Sequence, residues 1–328
     1  MRIVVTGALG HIGSRLVREL ATVMPGAEVV MIDNLATERY ASLLDLPDAC
    51  SYEFVEADVL TAELEPLLAG AGAVIHLAAL TSPRRAEAGG QMKRVNIEGT
   101  DRVARACAAL GIGLLFPSTT SVYGVHGVVD EACAPEALKP QTPYAAWKLE
   151  SERRLAAMAA DRGLRFVVFR MGTIFGPSIG MRFHTAVNQF CWRAACGQPI
   201  EVWTTASHQF RPYLDLTDAV RAMIFMVRRG WFDGSIYNVL TLNATVAHVV
   251  SVLAGFVPGL QIRYVESPLM NDLSYCVDNQ RLTRLGCASA GSLASGIGQT
   301  VEMFTARTAG RRRAVAPAHS PRAHAGPW

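Results

Sequence analysis

An α/β fold, a doubly wound parallel sheet with a smaller C-terminal lobe, is predicted for this 328-residue chain on three observations. Short apolar runs rich in β-branched residues alternate with helical patterns through the first half, the mark of βαβ units and of a sheet buried on both faces. A glycine-rich turn stands between the first such run and the first helical pattern. Half of the residues are hydrophobic and 18% are charged, which supplies an ample core and is at odds with disorder as the main state.

The strand-like runs fall at 3–6, 28–32, 52–55, 74–77, 114–116 and 165–169, with helical patterns between them at 12–23, 91–110 and 144–160. From about Thr173 the pattern loosens: a helix is expected over 181–195, a strand over 200–203, a helix beginning near Asp215, a strand over 235–239 and a helix near 246–253. Phe190, Trp192, Met223, Phe225 and Met226 are read as core. The stretch 311–328, rich in Arg, Ala, Pro and His without periodicity, reads as a disordered basic tail.

Charge and cysteine usage exclude several roles. The 31 basic and 28 acidic residues nearly cancel, so no whole-chain polyelectrolyte role is implied and no nucleic-acid partner is expected. No uncharged apolar stretch reaches 18 residues, so no membrane span is expected. The opening MRIVVT is already strand-like rather than a signal peptide. Seven scattered cysteines without CxxC or zinc spacing fit a reducing cytoplasm and suggest no metal site. Only Lys93, Lys139 and Lys148 are lysine among the 31 basic residues, so a motif that needs an ammonium has three places to be.

Residues 6–13 read TGALGHIG. In such a turn Gly7 allows the tight bend, Gly10 the approach of backbone to a pyrophosphate, and Gly13 the packing of helix on strand. The helix that follows offers free N–H groups and the positive end of its dipole. Asp33, 20 positions on at the end of the second strand, would accept hydrogen bonds from the adenosine ribose hydroxyls and repel a 2′-phosphate, so NAD is expected over NADP. The sheet is therefore read as Rossmann-type. Residues 1–172 form its NAD-binding domain, about 213–240 return to it, and 173–310 are mainly a substrate lobe.

Tyr144 and Lys148, in YAAWK, stand four residues apart on one helix face. A free phenol, with a pKa near ~10, is a poor base at neutral pH, and a nearby cation favours its phenolate. The helix follows a strand that ends in hydroxyls, FPSTTS at 116–121, where open α/β sheets bind their ligands.

With these motifs the sequence resembles the extended short-chain dehydrogenase/reductase family, in its nucleotide-sugar epimerase/dehydratase group and closest in type to UDP-sugar 4-epimerases. The resemblance runs over roughly residues 1–310. It rests on TGALGHIG, the aspartate of MIDNL at 31–35, Asp58-Val59, HLAA at 76–79, VNIEGT at 95–100, STTSVYG at 118–124, YAAWK, RMGTIFGP at 170–177 and RPYLD at 211–215. The resemblance implies a cofactor site of Gly7, Gly10, His11, Ile12, Gly13, Asp33 and Asn34, with Asp58 and Val59 at the adenine and Leu77, Ala78, Ala79 and Met171 completing it towards the nicotinamide. Asn96 would steady the helix of the Tyr/Lys pair. Thr119 would be the catalytic hydroxyl, Tyr144 the base, and Lys148 the group that holds the nicotinamide ribose. Thr81, Thr119, Thr120, Thr173 and Arg182 would face the substrate, and Arg211 a substrate phosphate. His11 and His76 are read as packed and hydrogen-bonded rather than catalytic.

Family dehydratases look like Thr-Asp-Glu after the catalytic hydroxyl and sugar-acid decarboxylases like Thr-Ser-Glu, whereas here Thr120 and Ser121 follow Thr119. The absence of a carboxylate leaves an NAD-dependent nucleotide-sugar 4-epimerase as the expected activity, with a sugar dehydrogenase or ketoreductase as the alternative. A 4,6-dehydratase or a non-catalytic NAD-binding regulator is less favoured. The chain departs from the family's nucleotide-binding pattern in three places. TTASHQ at 204–209 replaces a Gly-Asp-Gly-like turn, SPLMND at 267–272 replaces an Arg-Pro-Gly arginine, and Thr173 replaces an asparagine. Arg182, in GMRFH at 180–184, is a candidate for a sugar carboxylate. The resemblance also implies a homodimer joined through the helices at 91–110 and 144–160.

Overall fold

The computed structural model describes residues 1–81, 88–124, 127–266 and 274–308, so the 311–328 tail and all of SPLMND lie outside the described residues. In the first half the elements are β1 (Arg2–Thr6), α1 (His11–Val23), β2 (Glu28–Asp33), β3 (Ser51–Glu56), α2 (Leu64–Leu68), β4 (Ala73–His76), α3 (Ala88–Lys93), α4 (Thr100–Leu110), β5 (Gly113–Thr119), β6 (Gly127–Val129), α5 (Pro143–Arg162) and β7 (Phe166–Met171). A π-helical turn, Arg94–Gly99, joins α3 to α4 without a break. Then follow β8 (Thr173–Phe175), α6 (Ala186–Ala195), β9 (Ile200–Trp203), β10 (Phe210–Asp215), α7 (Leu216–Arg229), β11 (Ile236–Val239), β12 (Leu242–Thr245), α8 (Val246–Phe256), β13 (Ile262–Val265), β14 (Tyr275–Val277), α9 (Gln280–Arg284) and α10 (Leu293–Thr308).

Seven parallel strands form the main sheet in the order β11-β7-β5-β4-β1-β2-β3. The order reverses between β1 and β4, the place where such sheets open a crevice at their carboxyl ends. β1, β4 and β7 are buried almost throughout, because helices cover both faces. Leu16, Leu20, Val220 and Met223 of α1 and α7 fill one side, and Leu68, Val103, Cys107 and Leu155 of α2, α4 and α5 the other. Phe190, Val249, Leu253 and Ile297 of α6, α8 and α10 build a separate core beside small sheets such as β12-β10-β8. Among the described residues no helix is long and apolar enough to cross a membrane.

Two expectations need correction. The helix expected over 181–195 begins only at Ala186. Asn188 explains the difference: its side chain accepts from Gly176 N–H and donates to the Arg182 carbonyl, while Gly180 N–H donates to Ser14 Oγ of α1. These bonds hold 176–185 as a loop against α1 rather than as helix. Trp192, expected in the core, is 37% exposed and packs on Phe183. β10 has no clear strand signature in sequence because Pro212 interrupts it; it pairs with β12 and β8 all the same.

Candidate active site

A cavity of about 430 Å³ opens at the carboxyl ends of the central strands. Its floor is the glycine turn. Gly7 has φ +67°, and a Cβ there would lie 2.6 Å from Ala78 N. A Cβ on Gly13 would lie 2.5 Å from the Ala8 carbonyl oxygen, so the helix start and the turn touch there through bare backbone. Gly10 differs, because a Cβ on it would meet nothing closer than 3.2 Å and would project into the cavity. Gly10 is the N-cap of α1, which has no side-chain cap and no acidic residue in its first turn. An open glycine before an uncapped helix start is a cradle for a diphosphate, so the residues present fit the dinucleotide that the turn suggests. At the end of β2, Asp33 accepts hydrogen bonds from Leu9 N–H (3.1 Å) and Leu35 N–H (3.0 Å), and Asn34 Nδ2 donates to Asp58 (3.0 Å).

The cavity gathers nearly all of the residues that the sequence singled out. Gly7, Gly10, His11, Ile12, Gly13, Asp33, Asn34, Asp58, Val59, Leu77, Ala78, Ala79, Tyr144, Lys148 and Met171 line it, and so do Thr81, Thr119, Thr173 and Arg182. Asn96, Thr120 and Arg211 do not. Asn96 lies behind the wall, where its side chain bonds Leu80 N–H (3.0 Å) and the Leu80 carbonyl (2.7 Å), and its carbonyl accepts from Ser151 of α5 (3.0 Å). It thus ties the 77–81 segment to the helix of the Tyr/Lys pair. Thr120 is buried 3.3 Å from the Tyr275 hydroxyl. Arg211, on β10, donates to Gln209 (2.8 Å) and lies over the Tyr275 ring.

Burial sets the electrostatics. Lys148 is 3% exposed, with Nζ 4.3 Å from the Phe116 ring centre and 5.9 Å from that of Tyr144. Loss of water lowers its pKa to about 7, against the pull of Glu152 one turn on. Burial likewise pushes Tyr144 up to about 12, and Arg182 draws it back down. Arg182 bonds the Thr81 hydroxyl and the His184 ring. Burial holds it below the usual guanidinium range, at about 10. His76 is brought to about 3 by burial and by Lys148, so it is neutral. Its ring accepts from Thr6 Oγ1 (2.7 Å) and donates to Thr100 Oγ1 (3.1 Å), which donates to the Asn96 carbonyl (2.8 Å). His11 is also neutral, bonded to Ser178 and Asn188.

Behind Lys148 lies a buried ion pair. Arg170 holds Glu152 at 2.7 Å with both side chains 4% exposed, and Ser118 Oγ donates to the same carboxylate. Sequence reading missed this pair, and it missed Arg39, His184 and Thr185 on the cavity wall. Glu152 carries a signal in hindsight, four residues after Lys148 on the same face. Arg39 and Thr185 carry none, since loops bring them in. Among the described residues the Thr185 hydroxyl is buried with no partner.

Comparison with known proteins agrees with this geometry. The model of the NAD dependent epimerase/dehydratase family matches residues 3–239. The chain is 27% identical over 317 residues to a trifunctional UDP-glucose 4,6-dehydratase/UDP-4-keto-6-deoxy-D-glucose 3,5-epimerase/UDP-4-keto-L-rhamnose-reductase of Arabidopsis thaliana, and spans about half (47%) of that protein's length. It is 30% identical to a dTDP-glucose 4,6-dehydratase of Streptomyces niveus, covering 93% of each chain. It is also 30% identical to a UDP-glucose 4-epimerase of Mycolicibacterium smegmatis, covering 93% of this chain and 98% of that one. Among solved structures, UDP-glucuronic acid 4-epimerase from Bacillus cereus, with UDP-glucuronic acid and NAD, superposes with TM-score 0.82 at 23% identity over 94% of this chain and 100% of its own. MoeE5 in complex with UDP-glucuronic acid and NAD does so with TM-score 0.80 at 29% identity over the same shares.

Proposed function

The chain belongs to the NAD-dependent epimerase/dehydratase family, and within it we propose a nucleotide-sugar 4-epimerase that works through a transient 4-keto sugar. The observation that carries this reading is the wall beside Thr119. Its neighbours are Thr120 and Ser121, and among the described residues the only carboxylates lining the cavity are Asp33 and Asp58, both on the β2–β3 side. Elimination of water needs an acid and a base beside the sugar, and the wall offers hydroxyls there. Exchange of configuration at one carbon needs a single base that takes a proton and gives it back.

Tyr144 is that base. Its phenolate, relayed with Thr119, takes the proton from the hydroxyl on carbon 4 and returns it after the keto sugar has turned. NAD, when bound, supplies the hydride chemistry and a positive ring that favours the phenolate. Arg182 adds a second positive charge near Tyr144, and Lys148 holds the nicotinamide ribose. Thr81, Thr173 and the unpartnered Thr185 hydroxyl face the sugar. Arg182 is the partner of a sugar carboxylate, which makes a nucleotide-linked uronic acid the favoured substrate; MoeE5 is seen with UDP-glucuronic acid and also with UDP-glucose. The cofactor belongs to 1–172 with the returning 213–240, and the sugar to the lobe of 173–310, with Arg211 towards its phosphates. A homodimer joined through the helices at 91–110 and 144–160 and a cytoplasmic setting complete the proposal.

The experiment offers UDP-, dTDP-, GDP- and CDP-sugars, uronic acids included, to the purified protein and reads products by NMR and cofactor by absorbance. The carbon-4 epimer without net NADH is expected. NADH accumulating in step with product would sink the reading in favour of a dehydrogenase, and a 4-keto-6-deoxy product in favour of a dehydratase. Tyr144→Phe should lose ~10²–10⁴-fold in turnover.

A further inference from the structure

Arg39 projects from the loop after β2 into the cavity and is only partly exposed. Its Nη1 lies 3.6 Å from where a Cβ on Gly10 would be, over the uncapped start of α1. Among the described residues its guanidinium has no hydrogen-bonded or ion-paired partner in the structure; Asp33 attracts it and Arg182 repels it. Both Asp33 oxygens already accept backbone N–H groups. A partly buried guanidinium with unspent donors costs desolvation that the attraction of Asp33 only partly offsets.

The loop is nevertheless built to keep Arg39 there. Leu35 (φ 56°) and Glu38 (φ 52°) are both left-handed, a conformation that side chains other than glycine adopt at a cost. Glu38 N–H closes the turn on the Leu35 carbonyl (2.8 Å), and the Asn34 side chain accepts from Ala36 N–H (3.1 Å). Beyond Arg39, Ser42 N–H bonds the Arg39 carbonyl (2.9 Å) and Ser42 Oγ bonds the Leu9 carbonyl (2.9 Å), so the loop is fastened to the glycine turn itself. Arg18 of α1 then holds the Ser42 carbonyl (3.1 Å). Strain kept by such over-determination gathers at ligand clamps.

We propose that Arg39 clamps the pyrophosphate of the bound dinucleotide from the side opposite the α1 N-terminus. Its place over Gly10 favours the diphosphate over a ribose 2′-phosphate, which would have to lie against the Asp33 carboxylate. The clamp concerns the cofactor alone and holds whatever the sugar is.

The test uses the full chain carrying Arg39→Gln or Arg39→Lys, with affinities for NAD, ADP-ribose, AMP and NADP measured by calorimetry at two ionic strengths after bound cofactor is exchanged out. Arg39→Gln should weaken NAD and ADP-ribose alike by roughly 10- to 100-fold, the range of a charge-assisted pair. AMP, which has no pyrophosphate, should change less than threefold, and Arg39→Lys should recover most of the loss. The salt dependence of NAD binding should flatten in Arg39→Gln. NAD affinity within threefold of wild type overturns the proposal. So does an equal loss of AMP, which would mean a deformed site, or a loss confined to NADP, which would move Arg39 to the 2′-phosphate.

Discussion

Replacing Lys148 by methionine is expected to stabilise the cofactor-free protein at neutral pH while abolishing turnover. The ammonium is 3% exposed, and its pKa falls from 10.5 to about 7 on folding because burial outweighs the attraction of Glu152. A lysine whose folded pKa lies below its unfolded value destabilises the fold wherever the unfolded chain binds the extra proton. The cost is full below pH ~7 and fades as pH rises towards ~10.5. At ~1.4 kcal/mol per pH unit the gap between 10.5 and about 7 amounts to about 5 kcal/mol. The contact of Nζ with the Phe116 ring, 4.3 Å away, is lost in the variant and returns ~1–2 kcal/mol of that. Lys148→Met should therefore be about 3 kcal/mol more stable than wild type near pH 6.5 in urea unfolding of the stripped protein. The advantage should shrink to about 1 kcal/mol or less by pH 9.5. A variant no more stable than wild type at pH 6.5, or an advantage independent of pH, would refute the reasoning. Either result would mean that Lys148 is solvated or fully paired, and that the site does not hold a strained cation in readiness for its ligand.

Other expectations follow from single contacts. Glu152→Gln leaves the 4%-exposed Arg170 charge unpaired and should cost ~3–5 kcal/mol in urea unfolding, much of it recovered in Glu152→Gln/Arg170→Met; a loss below ~1 kcal/mol would show the pair to be solvated. Arg182→Met removes a cation that lowers the Tyr144 pKa, so the alkaline rise in turnover should move to higher pH, by roughly one unit; an unmoved profile would separate the two groups. Asn96→Ala frees both bonds that pin Leu80 and should cost ~1–3 kcal/mol while loosening NAD, read as faster cofactor loss on dilution. Gly180→Ala would set a Cβ 2.3 Å from the Leu9 carbonyl oxygen, so the 176–185 loop should lift from the glycine turn and substrate KM should rise with the fold intact by circular dichroism.

How far the sequence carried the site depends on how local each part is. Tyr144 and Lys148 meet because four helical residues make one turn. The glycine turn is a strand, a bend and a helix start within residues 2–13. Asp33 follows from the end of the next strand. The π-helical turn at Arg94–Gly99 was hidden, since its residues suit an ordinary helix equally well. So was α10, whose Leu293, Ile297 and Val301 read as helix core only once α6 and α8 give them a surface to meet.

By itself, then, the sequence determined the parallel sheet, its crevice and the Tyr/Lys pair, since periodicity and short spacings act within one element or between consecutive ones. Tertiary structure alone decided which charges share the cavity and how strongly each is felt. Arg182 meets Thr81 across 101 positions, Arg39 folds back over Gly10, and Glu152 is sealed against Arg170. Their pKa values and partners arise from desolvation and from distances through space, and neither quantity is written in the order of the residues.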